Sequence, residues 1–182
     1  NFRGVPGLPV YGVGVPTAAG LRAALDELVG PERGRPVLWH NMREEPLLYI
    51  NGSPFVVREA ERPFANLEYS GIDRGRVEGM EARLKQDVLA EAALYGNAIM
   101  VSGETDGGDL VELWEAVTPV DVQTPREVFQ ELEEYGYSVD YLRIPVTDER
   151  APDRDDCDTI VLRSWEAPED AVLVFNCQMG RG

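Results

Sequence analysis

Cysteine and histidine are scarce in this sequence of 182 residues, which contains two cysteines and one histidine. Cys157 lies in the acidic stretch DRDDCDT, whereas Cys177 ends the apolar run VLVFNC. Zinc sites draw mostly on these two residue types, so no metal site and no cofactor are expected. Two cysteines in such unlike settings also argue against a disulfide framework. We therefore expect a reducing compartment, the cytoplasm.

Long apolar runs and an excess of basic residues are also absent. No stretch approaches the roughly 20 apolar residues that span a bilayer, and no signal-peptide pattern opens the chain. Lysine and arginine together number 17 against 33 aspartates and glutamates, which gives a net charge of -16. This charge argues against a nucleic-acid or anionic-membrane surface. It does not exclude a small anion, because backbone amides and a few arginines can hold phosphate in an acidic protein.

The hydrophobic patterning predicts an α/β domain. With 43% hydrophobic residues, the chain is long enough to form one domain with a sizeable core. Helical periodicity follows Thr17, runs from Arg76 to Tyr95 and returns after Thr124. Strands are predicted at RPVLWHNM, NAIMVSGE, LVELWEAV, YSVDYLRI and AVLVFNC. Because helices and strands alternate in the second half, we expect a central mixed or mostly parallel sheet flanked by helices.

Several of these elements carry clear end signals. Thr17 is a predicted helix cap, with Gly30 as the stop. Asn51-Gly52 between two apolar runs predicts a β-hairpin. Thr124 and Glu127 form a predicted capping box. The acidic stretch PVTDERAPDRDD is predicted to be a polar loop before a short helix over CDTIVLRSW, and AVLVFNC is expected to be a central strand covered on both faces.

Cys177 stands where that last predicted strand ends. Ligands of open α/β sheets bind beyond the carboxyl ends of the strands. Two glycines among the five residues that follow would let backbone amides converge on an anion. Such amides favour the thiolate and make it available as a nucleophile. An equally weighted alternative is a buried cysteine that packs as a small hydrophobe.

The stretch VFNCQMGRG resembles the start of the phosphate-binding loop of cysteine-dependent phosphatases, whose signature is a cysteine, five residues and an arginine. The wider sequence resembles the paladin family, which is related to the protein-tyrosine-phosphatase-like phytases. The resemblance covers nearly the whole chain and implies a protein-tyrosine-phosphatase-like fold. The segments that carry it are NFRGVPGLPVYGVGVPT, LWHNMREEPLLYINGSPFVVRE, VEGMEARLKQDVLAEA, DVQTPREVFQELEEYGYSVDYLRIPVTDERAP and VFNCQMGRG.

This resemblance implies roles for individual residues. Cys177 would be the nucleophile that forms a phosphocysteine, and Asp148 would be the general acid and then the base for water. An alternative is that Asp148 is only a loop residue or a helix cap, and other carboxylates stand close by. The backbone amides of the residues after the cysteine would hold the phosphoryl oxygens, namely those of Gln178, Met179, Gly180, Arg181 and Gly182.

Two further positions bear on the substrate. The phytases usually have a histidine after the acid, whereas this sequence has Glu149, whose charge would disfavour a highly phosphorylated inositol unless arginines offset it. Arg43 in HNMREEP either contacts substrate phosphate or pairs with Glu44 or Glu45 as part of the scaffold. The neighbouring His40 is expected to be a structural hydrogen-bond partner rather than a catalyst.

The arginine of the signature would be the residue after Gly182. We therefore expect residues 1–182 to be one incomplete cysteine-phosphatase-like domain that ends inside the catalytic loop. It would belong to a longer polypeptide or a larger assembly, and it would not be an efficient phosphatase by itself, because the arginine fork clamps two phosphoryl oxygens.

Two functions from different classes remain open at this point. One is a metal-independent phosphatase that hydrolyses phosphomonoesters, either inositol phosphates or phosphoprotein. The other is a catalytically silent pseudophosphatase that binds phosphate or acts as a scaffold. Neither requires nucleic acid or a membrane span.

Overall fold

Strands and helices alternate along most of the chain in the computed structural model, which describes residues 1–30, 34–105, 107–148 and 150–180. The strands are β1 (Arg3–Gly4), β2 (Val10–Val13), β3 (Val37–Arg43), β4 (Leu47–Ile50), β5 (Ser53–Val56), β6 (Ala98–Glu104), β7 (Leu110–Ala116), β8 (Val122–Gln123), β9 (Val139–Val146) and β10 (Val172–Asn176). The helices are α1 (Ala18–Val29), α2 (Arg74–Leu94), α3 (Pro125–Glu134) and α4 (Arg154–Trp165).

The main sheet has five strands in the order β1-β2-β10-β3-β9. Strand β10 is parallel to both of its neighbours, β3 is parallel to β9, and only β1 runs antiparallel. The mostly parallel sheet and the central place of β10 confirm the predictions from the alternating pattern. The carboxyl ends of β10, β3 and β9 consequently meet at one edge.

One face of this sheet is covered by α1 and α3. Trp39 on β3 is fully buried, and its ring packs against Phe129 of α3 with 5.3 Å between centroids. Phe129 also stacks on Tyr141 of β9. Helix α1 contributes an apolar stripe, because its buried residues recur at helical spacing. These residues form the larger of two apolar clusters, to which α1 and α3 contribute Leu21, Ala24, Leu25, Leu28, Val29, Val128, Phe129 and Leu132.

The opposite face is covered less completely, and here the prediction for β10 was wrong in part. Val172 and Val174 are buried under α1 and α3, but Leu173 and Phe175 on the other side are only half-buried. Phe175 stacks on His40 of β3, with ring centroids 4.5 Å apart. An apolar run does not by itself say how fully each face is covered, since that depends on the helix that packs there.

The second apolar cluster is formed by α2 together with two smaller antiparallel sheets. Strands β5, β4 and β8 form one sheet, and β6 pairs with β7 in a hairpin. The turn between β4 and β5 has positive φ at Asn51 and Gly52, 50° and 76°, as the predicted two-residue hairpin requires. Helix α2 packs along these strands, and the cluster contains Leu48, Ile50, Ala92, Ile99, Val101, Val117 and Val122.

The helix ends agree with the sequence signals except at α4. Thr17 caps α1 through a hydrogen bond from Gly20 N–H, and Thr124 and Glu127 form the predicted capping box of α3. Helix α4 begins at Arg154, inside the stretch predicted as loop, because Asp153 and Asp156 make a second capping box. Within the described residues, no helix combines the length and the apolar character needed to cross a bilayer.

Candidate functional site

A ladder of hydrogen bonds between buried polar side chains links β10 to β3 and β3 to β9. Trp39 Nε1 donates to Asn176 Oδ1 at 2.7 Å, and Asn176 Nδ2 donates to Asn41 Oδ1 at 3.1 Å. Asn41 Nδ2 then donates to the Tyr141 hydroxyl at 3.0 Å. Because each partner is buried, breaking one bond would leave another polar group unsatisfied. The ladder therefore fixes the end of β10, from which Cys177 follows directly.

Cys177 opens a loop that lies against the end of β2. Its N–H donates to Val13 O at 3.3 Å, and the Val15 N–H donates to Gln178 O at 3.1 Å. Met179 forms an isolated bridge with Gly14. The loop is thus held by backbone contacts from residue 177 to residue 179, although Met179 itself is largely exposed.

Gly180 brings a backbone amide back to the cysteine. Its N–H donates to Cys177 Sγ at 3.1 Å. Its φ is +68°, and a Cβ at this position would lie 2.5 Å from Gly14 N. No other residue fits both the backbone conformation and the close approach. An amide N–H directed at the sulfur favours the thiolate, the form that acts as a nucleophile.

Asp148 is linked to this loop by one side chain that the sequence did not single out. Asn66 Nδ2 donates to Asp148 Oδ2 at 2.6 Å and to Gln178 Oε1 at 2.6 Å. Asp148 follows β9, and Asn66 lies between β5 and α2. The structure therefore brings two of the predicted site residues together through a third element of the chain.

The segment Arg43-Glu44-Glu45 anchors the elements around the site. The buried Glu45 carboxylate forms ion pairs with Arg43 and Arg58, and it accepts the Leu67 N–H at 3.2 Å. Arg43 is buried as well, and its Nε has no hydrogen-bond partner among the described residues. The scaffold ion pair considered for Arg43 is present, and its contact with substrate stays a prediction.

Glu44 connects two further parts of the site. Its Oε1 accepts the Tyr69 N–H at 3.4 Å, and its Oε2 accepts the Thr147 hydroxyl at 2.8 Å. Thr147 immediately precedes Asp148. The two neighbouring glutamates thus hold the segment between β5 and α2 on one side and the start of the acid-bearing loop on the other.

A fully buried ion pair lies next to the segment Arg43-Glu44-Glu45. Arg143 of β9 pairs with Glu81 of α2, and its Nη1 donates to Arg43 O at 2.8 Å. Glu81 also accepts the Leu47 N–H at 3.1 Å. Burial raises the pKa of Glu81, although Arg143 opposes the shift. Arg143 thereby ties β9 to α2 and to the end of β3.

His40 belongs to the scaffold, on the face opposite Trp39. It is fully buried, and its Nδ1 lies 3.2 Å from Val174 O. Burial lowers its pKa to about 4, and the nearby Arg163 guanidinium acts in the same direction. The histidine is thus neutral at pH 7, in agreement with the structural role expected for it.

Arg181 and Gly182 lie outside the described residues, as does Glu149. Asn66 and Arg58 were missed from the sequence, because their stretch VREAERPFANLEY shows no periodicity and no motif that marks them. Within residues 1–30, 34–105, 107–148 and 150–180, no group of three or more histidine, cysteine or carboxylate side chains is placed to hold a metal.

The sequence model of the PTP-like phytases, described as inositol hexakisphosphate, matches residues 40–182. Among curated proteins, the paladin of Xenopus tropicalis is 28% identical over 191 residues and human paladin is 28% identical over 186 residues. Both matches cover 100% of this chain but only 20% and 19% of those proteins. The chain thus spans about a fifth of the length of the curated relatives it matches. The predicted resemblance to paladins is confirmed.

Three solved structures share the fold. The tandemly repeated protein tyrosine phosphatase like phytase from Mitsuokella multacida superposes with a TM-score of 0.69 at 22% identity, over 96% of this chain and 27% of that one. A PTP-like myo-inositol phosphatase from the same organism, in complex with myo-inositol-(1,3,4,5)-tetrakisphosphate, gives 0.68 at 22%, over 95% and 26%. A PTP-like phytase from Bdellovibrio bacteriovorus gives 0.63 at 20%, over 100% and 57%. These likenesses confirm the predicted protein-tyrosine-phosphatase-like fold.

Proposed function

Since the chain belongs to the PTP-like phytase family, we propose that it carries a metal-independent phosphatase site that acts through a phosphocysteine. Cys177 is the nucleophile, and Asp148 is the general acid and base. The observation that carries the proposal is the Gly180 N–H on Cys177 Sγ at 3.1 Å. An amide that favours the thiolate, at the carboxyl edge of a parallel sheet, is what a cysteine nucleophile needs.

The reaction would take place in two displacements. In the first, the Cys177 thiolate attacks phosphorus, an S–P bond forms, and the P–O bond to the leaving group breaks. Asp148 gives its proton to the departing oxygen. In the second, a water oxygen attacks phosphorus, Asp148 takes the proton of the water, and the S–P bond breaks to return the thiolate and release phosphate.

The phosphoryl oxygens would be held by the backbone amides of residues 178–182, including Gln178, Met179 and Gly180. Arg181 and Gly182 are part of this proposal on the strength of the sequence. Arg43 would add positive charge to the site, and its buried Nε has no hydrogen-bond partner among the described residues. We propose that Arg43 contacts substrate phosphate alongside its ion pair with Glu45, not in place of it.

The substrate class that we favour is a phosphorylated inositol. The family description names inositol hexakisphosphate, and one structural neighbour was solved with a myo-inositol tetrakisphosphate. A phosphoprotein is the other substrate to test. The chain has only two cysteines, and they lie in unlike settings, which supports a reducing compartment and so the cytoplasm as the location.

Two cysteines of one chain allow a matched experiment. In the complete protein, Cys177→Ser is expected to abolish phosphate release from an inositol phosphate, because a hydroxyl is a far weaker nucleophile than a thiolate. Cys157→Ser on the exposed side of α4 is the control and should leave the rate unchanged. Asp148→Asn should lower kcat by about 10²- to 10⁴-fold.

Equal turnover by Cys177→Ser and wild type would overturn the proposal. Binding of an inositol phosphate by the wild-type protein without any turnover would instead identify the silent phosphate-binding module considered from the sequence.

A further inference from the structure

The segment between β5 and α2 reaches across the site and places Asn66 between the acid and the cysteine loop. We propose that Asn66 is a positioning residue that holds Asp148 over the loop of Cys177, so that the proton is delivered to the leaving oxygen. This inference rests on the proposed phosphatase function and deepens it.

The contacts of Asn66 use its whole amide group. Both hydrogens on Nδ2 are engaged, one by Asp148 Oδ2 and one by Gln178 Oε1, each at 2.6 Å. Its Oδ1 accepts from Arg58 Nη2 at 3.0 Å. A guanidinium can only donate, so the amide oxygen must face Arg58 and the nitrogen must face the carboxylate. One side chain thus joins the acid-bearing loop, the cysteine loop and a buried charge network.

Asn66 is itself held from two sides. Arg58 is fixed by its ion pair with the Glu45 carboxylate, and Glu45 also accepts the N–H of Leu67, the next residue in the chain. The same carboxylate therefore restrains the backbone beside Asn66 and the partner of its side chain. Groups held in this way lose little freedom when a substrate binds, which is how a site keeps its geometry for reaction.

This arrangement assigns different tasks to the two oxygens of Asp148. Oδ2 accepts the Asn66 N–H, which leaves Oδ1 to carry the proton to the leaving group. Thr147, one residue earlier, is tied to Glu44 at 2.8 Å, so the backbone of the loop has its own anchor. Asn66 is needed to orient the carboxyl group rather than to place the loop. Its loss should therefore impair proton transfer more than phosphate binding.

The test compares two substrates in the complete protein. The leaving group of an inositol phosphate is the inositol alkoxide, which needs the proton. The leaving group of p-nitrophenyl phosphate is a stabilised phenolate, which does not. Asn66→Ala should lower kcat on the inositol phosphate by about 10- to 100-fold, and on p-nitrophenyl phosphate by less than about threefold. KM should stay within about twofold of wild type on both substrates, since the amides that hold phosphate are untouched.

Three further variants make the result specific. Asp148→Asn should show the same split between substrates with a larger loss. Asn66→Asp keeps the shape but sets two carboxylates against each other, and should lose at least as much as Asn66→Ala. Arg62→Ala lies in the same segment, where Arg62 pairs only with Glu59 among the described contacts at the surface, and should match wild type. Inhibition by inorganic phosphate, unchanged in Asn66→Ala, shows that the cysteine loop is intact.

The outcomes separate this inference from the function it rests on. An equal loss on both substrates, or no loss on either, with Asp148→Asn still showing the split, would overturn the role of Asn66 alone. A wild-type protein that turns over neither substrate would overturn the proposed phosphatase, and the inference with it.

Discussion

The two faces of the five-stranded sheet are covered in different ways. On one face, α1 and α3 bury a continuous apolar cluster around Trp39. On the other face, α4 contributes no buried residue, and its Trp165 is 87% exposed. Helix α4 is instead tied to the sheet by a polar contact, since Arg163 pairs with Asp140 of β9 at 3.0 Å. Apolar packing therefore stabilises one side, and a few polar contacts hold the other.

The well-packed face also supports the polar residues around the candidate site. The packed face continues, at its carboxyl edge, into the polar ladder of Asn41, Asn176 and Tyr141 and into the Arg143–Glu81 pair. The close-packed apolar cluster fixes the positions of these polar side chains. The polar side chains can therefore hold the cysteine loop in place although the loop itself is not buried. Substitutions on the two faces are therefore expected to differ by several kcal/mol, roughly, in how much they lower the free energy of unfolding.

Breaking the buried ion pair should have the largest effect. Arg143→Met leaves the Glu81 carboxylate buried without its partner and should lower the free energy of unfolding by roughly 3–5 kcal/mol. Urea unfolding of the single variant and of Arg143→Met with Glu81→Met measures this. The double variant should recover at least half of the loss. A single variant within about 1 kcal/mol of wild type would contradict the structural role of the pair.

Removing packing from the covered face should come next. Leu25 of α1 is 0% exposed in the larger cluster. Leu25→Ala should lower the free energy of unfolding by about 3 kcal/mol, through lost transfer energy and the cavity that remains. The same urea titration reads the effect. A cost below about 1 kcal/mol would mean that the cluster collapses around the deletion.

His40 offers a way to test the other face by pH. Its pKa in the folded state is about 4, below the ordinary value of 6.5. Below pH 6.5 His40 becomes protonated in the unfolded chain but stays neutral in the folded protein. The free energy of unfolding therefore falls as the pH drops towards 4. At pH 5 the loss from this group is about 2 kcal/mol relative to pH 7.

The measurement is the difference in unfolding free energy between pH 7 and pH 5. His40→Phe removes the titrating group and should reduce that difference by about 2 kcal/mol, with Arg163 and Asp140 left in place. An identical pH dependence in the variant would show that the histidine is protonated in the folded state as readily as in the unfolded one.

The smallest effect is expected on α4. Leu162 has the same side chain as Leu25 but is 59% exposed. Leu162→Ala should change the free energy of unfolding by no more than about 0.5 kcal/mol. Because the substitution is chemically the same as Leu25→Ala, the pair measures the difference between the two faces directly. A cost equal to that of Leu25→Ala would remove the contrast.

Local signals in the sequence were enough to predict most of the helices and the β-hairpin. Thr17 and Thr124 marked helix starts, and Asn51-Gly52 marked the hairpin, because each acts through contacts within a few residues. The start of α4 was misjudged, since the acidic loop and the capping box of Asp153 use the same residue types. The incomplete cover of Phe175 was also missed, because burial depends on a neighbour that is distant in the chain.

The residues of the candidate site also differ in whether the sequence alone pointed to them. The cysteine at the strand end and the glycines after it were singled out by their position and residue types, whereas Asp148 was assigned only through the family resemblance. The chemical roles of these residues stay predictions. Asn66 and Arg58 could not be singled out, since nothing in their own stretch indicates a role. By itself, the sequence determined most of the helices, the hairpin and the strand that leads to Cys177, because these depend on contacts between neighbours in the chain. Only the tertiary structure decided that Asn66 stands between Asp148 and Gln178, 82 and 112 residues away, because such contacts depend on where the folded sheet brings distant segments together.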